Sequence, residues 1–392
     1  TASYLFDYMS FGRKYLNDLY DWQKPDGKLP QIAPEGGTNS YMKAMDGSVG
    51  WADAGVIIPY ELWKKYDDIG IVKKYLSGMR RYTAFMQKRC GRWYPTAKST
   101  GLRGKDKRYL SNFGQAYGEW AEPDDVHHMT WKDCAQPHPE VATAYTAYIC
   151  TIMAEMEQAL GNYEQAEEYL EFADGCKHSY QALCETKDFS LDTDRQARLV
   201  RPLAFNLLNE EQTQFAKKRL IQALNTYGWR IGTGFLSTPL ILDVLAEIDI
   251  SYAYRLLENE EMPGWLFMAK NGATTVWEAW EGCEAIGGGI GSLDHYSKGA
   301  VCRWLFDTMC GIRVAGENHF IIAPKPGGHI RYAKAEYTSV YGQVTSGWSC
   351  KDEQIEYMIS IPANCTAEVI LPDGTHCIQS AESKIYSTRI MR

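Results

Sequence analysis

Glu278 is the residue best suited to chemistry in this chain of 392. It stands in Gly272-Ala273-Thr274-Thr275-Val276-Trp277-Glu278-Ala279-Trp280, flanked by two tryptophans and preceded by small and hydroxyl-bearing residues. A carboxylate walled by indole rings is partly desolvated, which raises its pKa toward a value useful for taking a proton. The plain alternative is a surface carboxylate where a loop enters a helix, and spacing alone leaves both open. A second cluster is Gly291-Ser292-Leu293-Asp294-His295-Tyr296. Ser292 is placed to cap a following helix, which would put His295 in its first turn. A helix N-terminus disfavours imidazolium, so His295 is expected to be a neutral hydrogen-bonding group, against the alternative of a purely structural histidine. Two more stretches set a tryptophan beside a carboxylate at the edge of a helical element: Gly50-Trp51-Ala52-Asp53-Ala54 and Gly118-Glu119-Trp120. Trp51 and Trp120 suit a sugar face or a core equally well, because an indole serves both.

Other chemistries find less support. His127, His128 and His138 sit in a Pro-interrupted loop without ligand-type spacing, so no metal or cofactor is expected. Gly287-Gly288-Gly289 resembles a phosphate cradle but lacks the lysine and the preceding strand of a P-loop. There is no Gly-x-Ser-x-Gly elbow and no cysteine in a histidine-partnered motif, which disfavours acyl transfer. Lys and Arg number 41 against 49 Asp and Glu, a formal net charge of -8 that repels phosphate backbones, so no nucleic-acid partner is expected. The short basic run Arg103 to Arg108 reads as a solvated loop. No apolar stretch approaches the roughly 20 residues that span a bilayer, and no charged-then-apolar leader opens the sequence, so no membrane partner is expected. Eleven cysteines, an odd count with no C-x-x-C pair, read as reduced thiols of a cytoplasmic protein.

The elements that must position these residues are mostly helical as far as Gly311. Tyr4, Tyr8, Phe11, Tyr15 and Leu19 recur on one helical face, as do Val56, Tyr60 and Trp63, and the apolar residues of Ile71 to Met86. Further helices are expected at Val141–Leu160, Tyr163–Cys184, Asp194–Leu208, Glu211–Tyr227, Pro239–Ile248, Tyr252–Leu257 and Leu293–Cys310. Gly161, Gly228 and Gly311 stand where left-handed C-terminal residues belong. That makes about ten helices, separated by long loops at 23–50, 91–136 and 262–292. Loops of this length are functional or disordered as a rule, and their tryptophans argue against disorder. Helices of varying length joined by large loops suit a closed toroid better than a stacked solenoid. Beyond Gly311 the period becomes two: Ile355, Tyr357, Ile359 and Ile361 alternate as in a half-buried strand, and Pro372-Asp373-Gly374-Thr375 reads as a hairpin turn. The expected architecture is mainly α with a C-terminal β domain: an (α/α)6 toroid over 1–311 followed by an antiparallel β-sandwich over 312–392.

These pieces, in this order, resemble the bacterial α-L-rhamnosidases, inverting glycoside hydrolases with an (α/α)6-barrel catalytic domain and a C-terminal β-sandwich. The resemblance rests on Pro25–Pro30, Gly50–Ala54, Gly118–Trp120, Gly232–Phe235, Asn271–Trp280, Gly291–Tyr296, Ser339–Trp348 and Ile361–Pro372, nearly the whole chain. It implies that Glu278 is the general base that activates water. It also implies that Trp51, Asp53, Trp120 and His295 contribute to the rhamnose pocket, with Trp277 and Trp280 shaping its wall. The substrate would be a rhamnose-containing glycoside or oligosaccharide.

One departure bears on activity. In this family the general acid and two sugar-binding acids lie in an Asp…Asp-Glu-Arg-Leu-Gly-Trp…Gly-Asp segment, which runs into the helix matching Thr1-Ala2-Ser3-Tyr4. The chain is therefore expected to be the C-terminal portion of a longer enzyme, with its toroid N-terminally incomplete and its turnover slow or absent when alone. An incomplete first helix would leave an apolar groove that favours aggregation or pairing as a homodimer. Two other readings are carried forward: another (α/α)6 carbohydrate-active enzyme, hydrolase or polysaccharide lyase, and a non-catalytic sugar-binding remnant.

Overall fold

The computed structural model describes residues 2–37, 43–282 and 291–389. Gly287-Gly288-Gly289 lies outside the described residues. Eleven helices build the toroid: α1 (Ala2–Leu5), α2 (Met9–Asp21), α3 (Ala54–Tyr66), α4 (Ile69–Gln87), α5 (Pro139–Ala159), α6 (Tyr163–Cys184), α7 (Gln196–Ala204), α8 (Glu210–Thr226), α9 (Thr238–Ile248), α10 (Ile250–Leu257) and α11 (Val301–Trp304). Helices α3, α5, α7, α9 and α11 pack side by side in that order, and α2, α4, α6, α8 and α10 pack each against a member of that row. The sequence explains the division. Helix α5 opens on Pro139 and carries alanines, threonines and apolar residues around most of its circumference, so it is buried on nearly every side. Helix α6 is acidic on one face and buries only the other. Asn209 starts α8 with a capping box: its side chain accepts from Gln212 N–H at 2.9 Å, and the Gln212 side chain accepts from Asn209 N–H at 3.4 Å.

Because each outer helix returns the chain, the N-termini of the inner helices all face one end. The described parts of the long loops 22–53, 88–138 and 258–300 collect there, with the shorter links 185–195 and 227–237. Gly161, Gly228 and Gly311 close their helices at φ of +78°, +66° and +77°, the left-handed geometry expected of them.

Three helices differ from the periodic reading. The face from Tyr4 to Leu19 is broken between α1 and α2, because side chains capture the local amides. The Tyr66 hydroxyl accepts from Tyr8 N–H at 2.8 Å and Asp7 accepts from Met9 N–H at 3.1 Å. The helix expected over Asp194–Leu208 is confined to Gln196–Ala204. The helix expected from Leu293 begins only at Ser297, as one 3₁₀ turn, then α11, then a π turn over Leu305–Met309. The basic run near Arg103 forms a single helical turn, Gly104–Arg108, at the surface.

The C-terminal part has two four-stranded sheets. One runs in the order β1 (Ile312–Gly316), β2 (His319–Ile322), β6 (Thr366–Ile370), β7 (His376–Gln379); the other runs β3 (Tyr332–Ser339), β4 (Gly342–Lys351), β5 (Gln354–Ser360), β8 (Ser383–Arg389). Every neighbour pair is antiparallel except β2 with β6, which is parallel. Tyr357 and Ile359 face inward on β5, and Pro372–Thr375 turns β6 into β7, with Gly374 N–H donating to the Leu371 carbonyl at 3.0 Å. One apolar core runs from α6–α11 through Trp304 and Met309 into the sheets at Ile312, Tyr337 and Trp348. At the junction the Ser346 hydroxyl donates to the Cys310 carbonyl at 2.6 Å, and the Trp348 indole N–H donates to that of Met309 at 2.9 Å. These bonds satisfy carbonyls that the end of the last toroid helix leaves open.

Candidate active site

Glu278 is held in an irregular segment that is hydrogen-bonded to the Ser292–His295 segment. Glu278 N–H donates to the Ser292 carbonyl at 2.8 Å, and His295 N–H donates to that of Val276 at 2.7 Å. The Thr275 hydroxyl adds a bond to the Leu293 carbonyl. This pairing spends the main chain of Leu293–His295 on a ladder, which is why no helix starts there. Ser292 does not cap a helix; its hydroxyl instead closes a local turn with both the N–H and the carbonyl of Asp294. The Glu278 side chain is half-buried, and its Oε2 accepts from Ser292 N–H at 2.8 Å. Its Oε1 has no hydrogen-bond partner among the described residues, and so is available to a water molecule.

His295 lies outside any helix, so the macrodipole argument for its charge state does not apply. Its Nδ1 accepts from Ser297 N–H at 3.3 Å, an arrangement that needs an unprotonated Nδ1 and leaves the neutral ring its proton on Nε2. The ring stacks on Phe235, centroids 4.9 Å apart, and on Tyr296 at 5.5 Å. Phe235 lies 6.0 Å from the Trp51 ring, and Trp51 lies 5.0 Å from Tyr117. Tyr117 in turn meets Trp120, which packs against Trp131 at 5.0 Å. A continuous aromatic band thus joins Trp51 and Trp120 to His295 and, through the two-rung ladder, to Glu278. The Trp51 indole N–H is anchored on the Gly118 carbonyl at 3.0 Å.

The other candidate residues sit behind this band. Asp53 is buried at the start of α3, where Oδ1 accepts from the Tyr82 hydroxyl at 2.5 Å and Oδ2 from Gly50 N–H at 2.9 Å. Burial pushes its pKa up to about 6, against the opposing pull of those two bonds. Both oxygens are engaged, so Asp53 fixes the turn that presents Trp51. Trp277 is half-buried against the main core, in contact with Gly282. Trp280 is only 1% exposed and packs edge-on against Trp265, a floor beneath the loop and not a surface on it.

Three features of the site were not read from the sequence: the burial of Lys298, the pairing of Glu119 and the position of Phe235. Lys298 is fully buried; its ammonium donates to the Glu278 carbonyl and lies 4.2 Å from the centre of the Trp280 ring. Burial pushes its pKa down to about 7, although Glu281 and Glu278 pull the other way. Glu119 is buried with Arg201, and also accepts from Ser237 N–H at 2.8 Å and from the Ser237 hydroxyl at 2.9 Å. Phe235 links the two halves of the aromatic band. The flag for it was Gly234, where a β carbon would stand 2.3 Å from the Trp120 carbonyl oxygen. Only glycine lets those two loops approach so closely.

Chemically, the site offers a fixed carboxylate with one open oxygen, an imidazole and a wall of aromatic faces. That set suits an uncharged polyhydroxylated ring, whose C–H faces stack on aromatics while a carboxylate polarises water. Among the described residues no group of three or more His, Cys, Asp or Glu converges as for a metal ion.

Known proteins resemble this chain in sequence and fold. The profile of the bacterial alpha-L-rhamnosidase 6 hairpin glycosidase domain matches residues 1–309, and that of the bacterial alpha-L-rhamnosidase C-terminal domain matches 313–385. An alpha-L-rhamnosidase of Streptomyces avermitilis is 30% identical over 380 residues, covering 95% of this chain and 34% of the relative. The crystal structure of the Streptomyces avermitilis alpha-L-rhamnosidase complexed with L-rhamnose superposes with a TM-score of 0.80 at 27% identity, over 98% of this chain and 36% of that one. The alpha-L-rhamnosidase structure from Dictyoglumus thermophilum gives 0.79 at 27% identity, over 93% of this chain and 38% of that one. The chain thus spans about a third of the length of the relatives it matches. With its toroid and its sandwich each matched in sequence and both superposed in space, the chain belongs to the bacterial α-L-rhamnosidase family.

Proposed function

We propose that the chain supplies the base side and most of the sugar-binding wall of an inverting α-L-rhamnosidase, which releases terminal α-L-rhamnose from glycosides or oligosaccharides. The observation that carries this reading is the pinned Glu278 carboxylate, with its open Oε1, at the end of the aromatic band that runs to Trp51 and Trp120. In the mechanism Glu278 takes a proton from water as that water attacks the anomeric carbon. His295, Trp51 and Trp120 hold the ring, and Trp277 and Trp280 support the loop from behind. Inversion requires a second carboxyl group, roughly 6.5–9.5 Å from the base, to protonate the leaving oxygen. The family's Asp-Glu-Arg-Leu-Gly-Trp segment provides it and has no counterpart in residues 1–392. Each such group contributes about 10²–10⁴-fold, so the chain by itself should turn over slowly or not at all.

The test is hydrolysis of p-nitrophenyl α-L-rhamnoside by this chain and by a version extended upstream through that segment, with the anomer released read by NMR. Activity confined to the extended form, with β-L-rhamnose as first product, is the expected result. Equal activity in both forms would overturn the division of roles. Retention of configuration would overturn the base assignment of Glu278.

A further inference from the structure

A polar cavity opens on the same end of the toroid, between the N-termini of α5 and α7. Its volume is about 370 Å³, within the range of small-ligand pockets. Glu140, Arg198, Arg195, His127, Gln136 and Phe189 line it. It is separate from the aromatic band: none of Trp51, Phe235, Glu278 or His295 reaches it.

The charges in this cavity are nearly balanced: Lys98, Arg195 and Arg198 stand against Asp133, Glu140 and Asp188 in its lining. Arg195 is paired with the buried Glu122. His127 has its pKa pushed down to about 4 by burial and by the two arginines, which leaves it neutral. Glu140 is ionised: burial opposes its charge, but His138, Arg198 and Arg195 outweigh that and hold its pKa below the usual range. Of the lining side-chain atoms closed off from solvent, two have no hydrogen-bond partner among the described residues, one acceptor and one donor. Glu140 is 8% exposed and its Oε2 has no hydrogen-bond partner; the Arg198 Nε–H has none either, although its Nη1 donates to the Asp188 carbonyl at 2.7 Å. Groups this well buried need partners, because an unmet carboxylate or guanidinium carries a large desolvation penalty. An anion would complete Arg198 but meet Glu140 at close range, and a cation would face the reverse conflict. A hydroxyl accepts and donates at once, so adjacent hydroxyls satisfy both groups without adding charge. The Phe189 ring, 5.4 Å from the Arg198 guanidinium, also lines the cavity and gives it apolar surface of the kind that packs on a sugar.

We infer that this cavity is a second saccharide site, which takes a neutral pyranose through a vicinal diol held between Glu140 and Arg198. The inference does not rest on hydrolysis at Glu278. The same sugar chemistry has two sources, a free monosaccharide or a further unit of the glycan whose end lies against the aromatic band.

The test uses the full chain carrying Trp120→Ala, to weaken the first site. It is titrated by calorimetry and by saturation-transfer NMR with methyl α-L-rhamnoside, methyl β-D-glucoside and methyl β-D-galactoside. At least one should still bind, and Arg198→Met or Glu140→Gln should weaken it by about tenfold or more, the loss expected for a hydrogen bond to a charged group. Far-UV circular dichroism certifies each variant as folded, and Phe189→Ala serves where Glu140→Gln does not fold. Without the Trp120 substitution, a rhamnosyl disaccharide that binds more tightly than either component assigns the site to a glycan unit. Additive binding assigns it to a free sugar, and either result sustains the proposal. It is overturned if no glycoside binds the Trp120→Ala chain, if folded cavity variants bind unchanged, or if inorganic sulfate displaces the sugar.

Discussion

Glu119 and Glu278 are each bonded in sequence to a tryptophan, Trp120 and Trp277, and each lies in a long loop at the same end of the toroid. Their environments are opposite. Glu119 is 2% exposed and spends both oxygens on Arg201 and Ser237, tying the second long loop to the segment that opens α9. Glu278 is half-buried, takes one backbone N–H, and keeps an oxygen open. A carboxylate with both oxygens committed to buried partners is a strut; one held on a single side can exchange protons. The neighbouring tryptophan says nothing about which of the two a glutamate will be.

Four substitutions break or sharpen this contrast. Glu278→Gln, in the version extended upstream, should lower kcat on p-nitrophenyl α-L-rhamnoside by about 10²–10⁴-fold with an unchanged denaturation midpoint. Glu119→Ala should do the converse. It strands a buried guanidinium and should cost about 3–5 kcal/mol in urea unfolding. If it cut turnover with stability intact, the two carboxylates would exchange roles. Lys298→Met probes the layer beneath Glu278. The buried ammonium titrates near pH 7 in the folded chain against 10.5 for an ordinary lysine. Between those values the unfolded chain binds more protons, so stability should rise with pH across that window. Below about pH 7 both states are protonated and the burial penalty is complete. The methionine variant should lack this rise when urea midpoints are compared at the two ends of the window. Smallest is Trp51→Phe, which removes the indole bond to the Gly118 carbonyl and should cost about 0.5–1.5 kcal/mol of stability, read from the same urea curves.

The fold was legible in the sequence where the signal is local. Period-3.6 faces, C-terminal glycines and the Pro-Asp-Gly-Thr turn each report on a few neighbouring residues, and the hairpin and all but three of the helices stand where they point. Glu278 could be proposed from the sequence for the same reason, because its flanking indoles are adjacent in the chain. The strut was not: Arg201 lies 82 positions from Glu119, and no local pattern joins them. Lys298 was hidden by the opposite habit, since a lysine next to Gly299 and Ala300 reads as a surface residue until the loop is folded over it. His295 was misplaced because Ser292 fits a helix cap equally well on paper. Only the main-chain pairing with Val276 and Glu278, across 14 or more residues, decides between cap and ladder.

The bonds from Ser346 and Trp348 to the last carbonyls of the toroid have a thermodynamic consequence. The two parts of the molecule share one apolar interior and lend each other their terminal hydrogen bonds, so neither can melt without exposing the other. Calorimetry should therefore record one endotherm and not two, and protease cleavage near Gly311 should release no stable half.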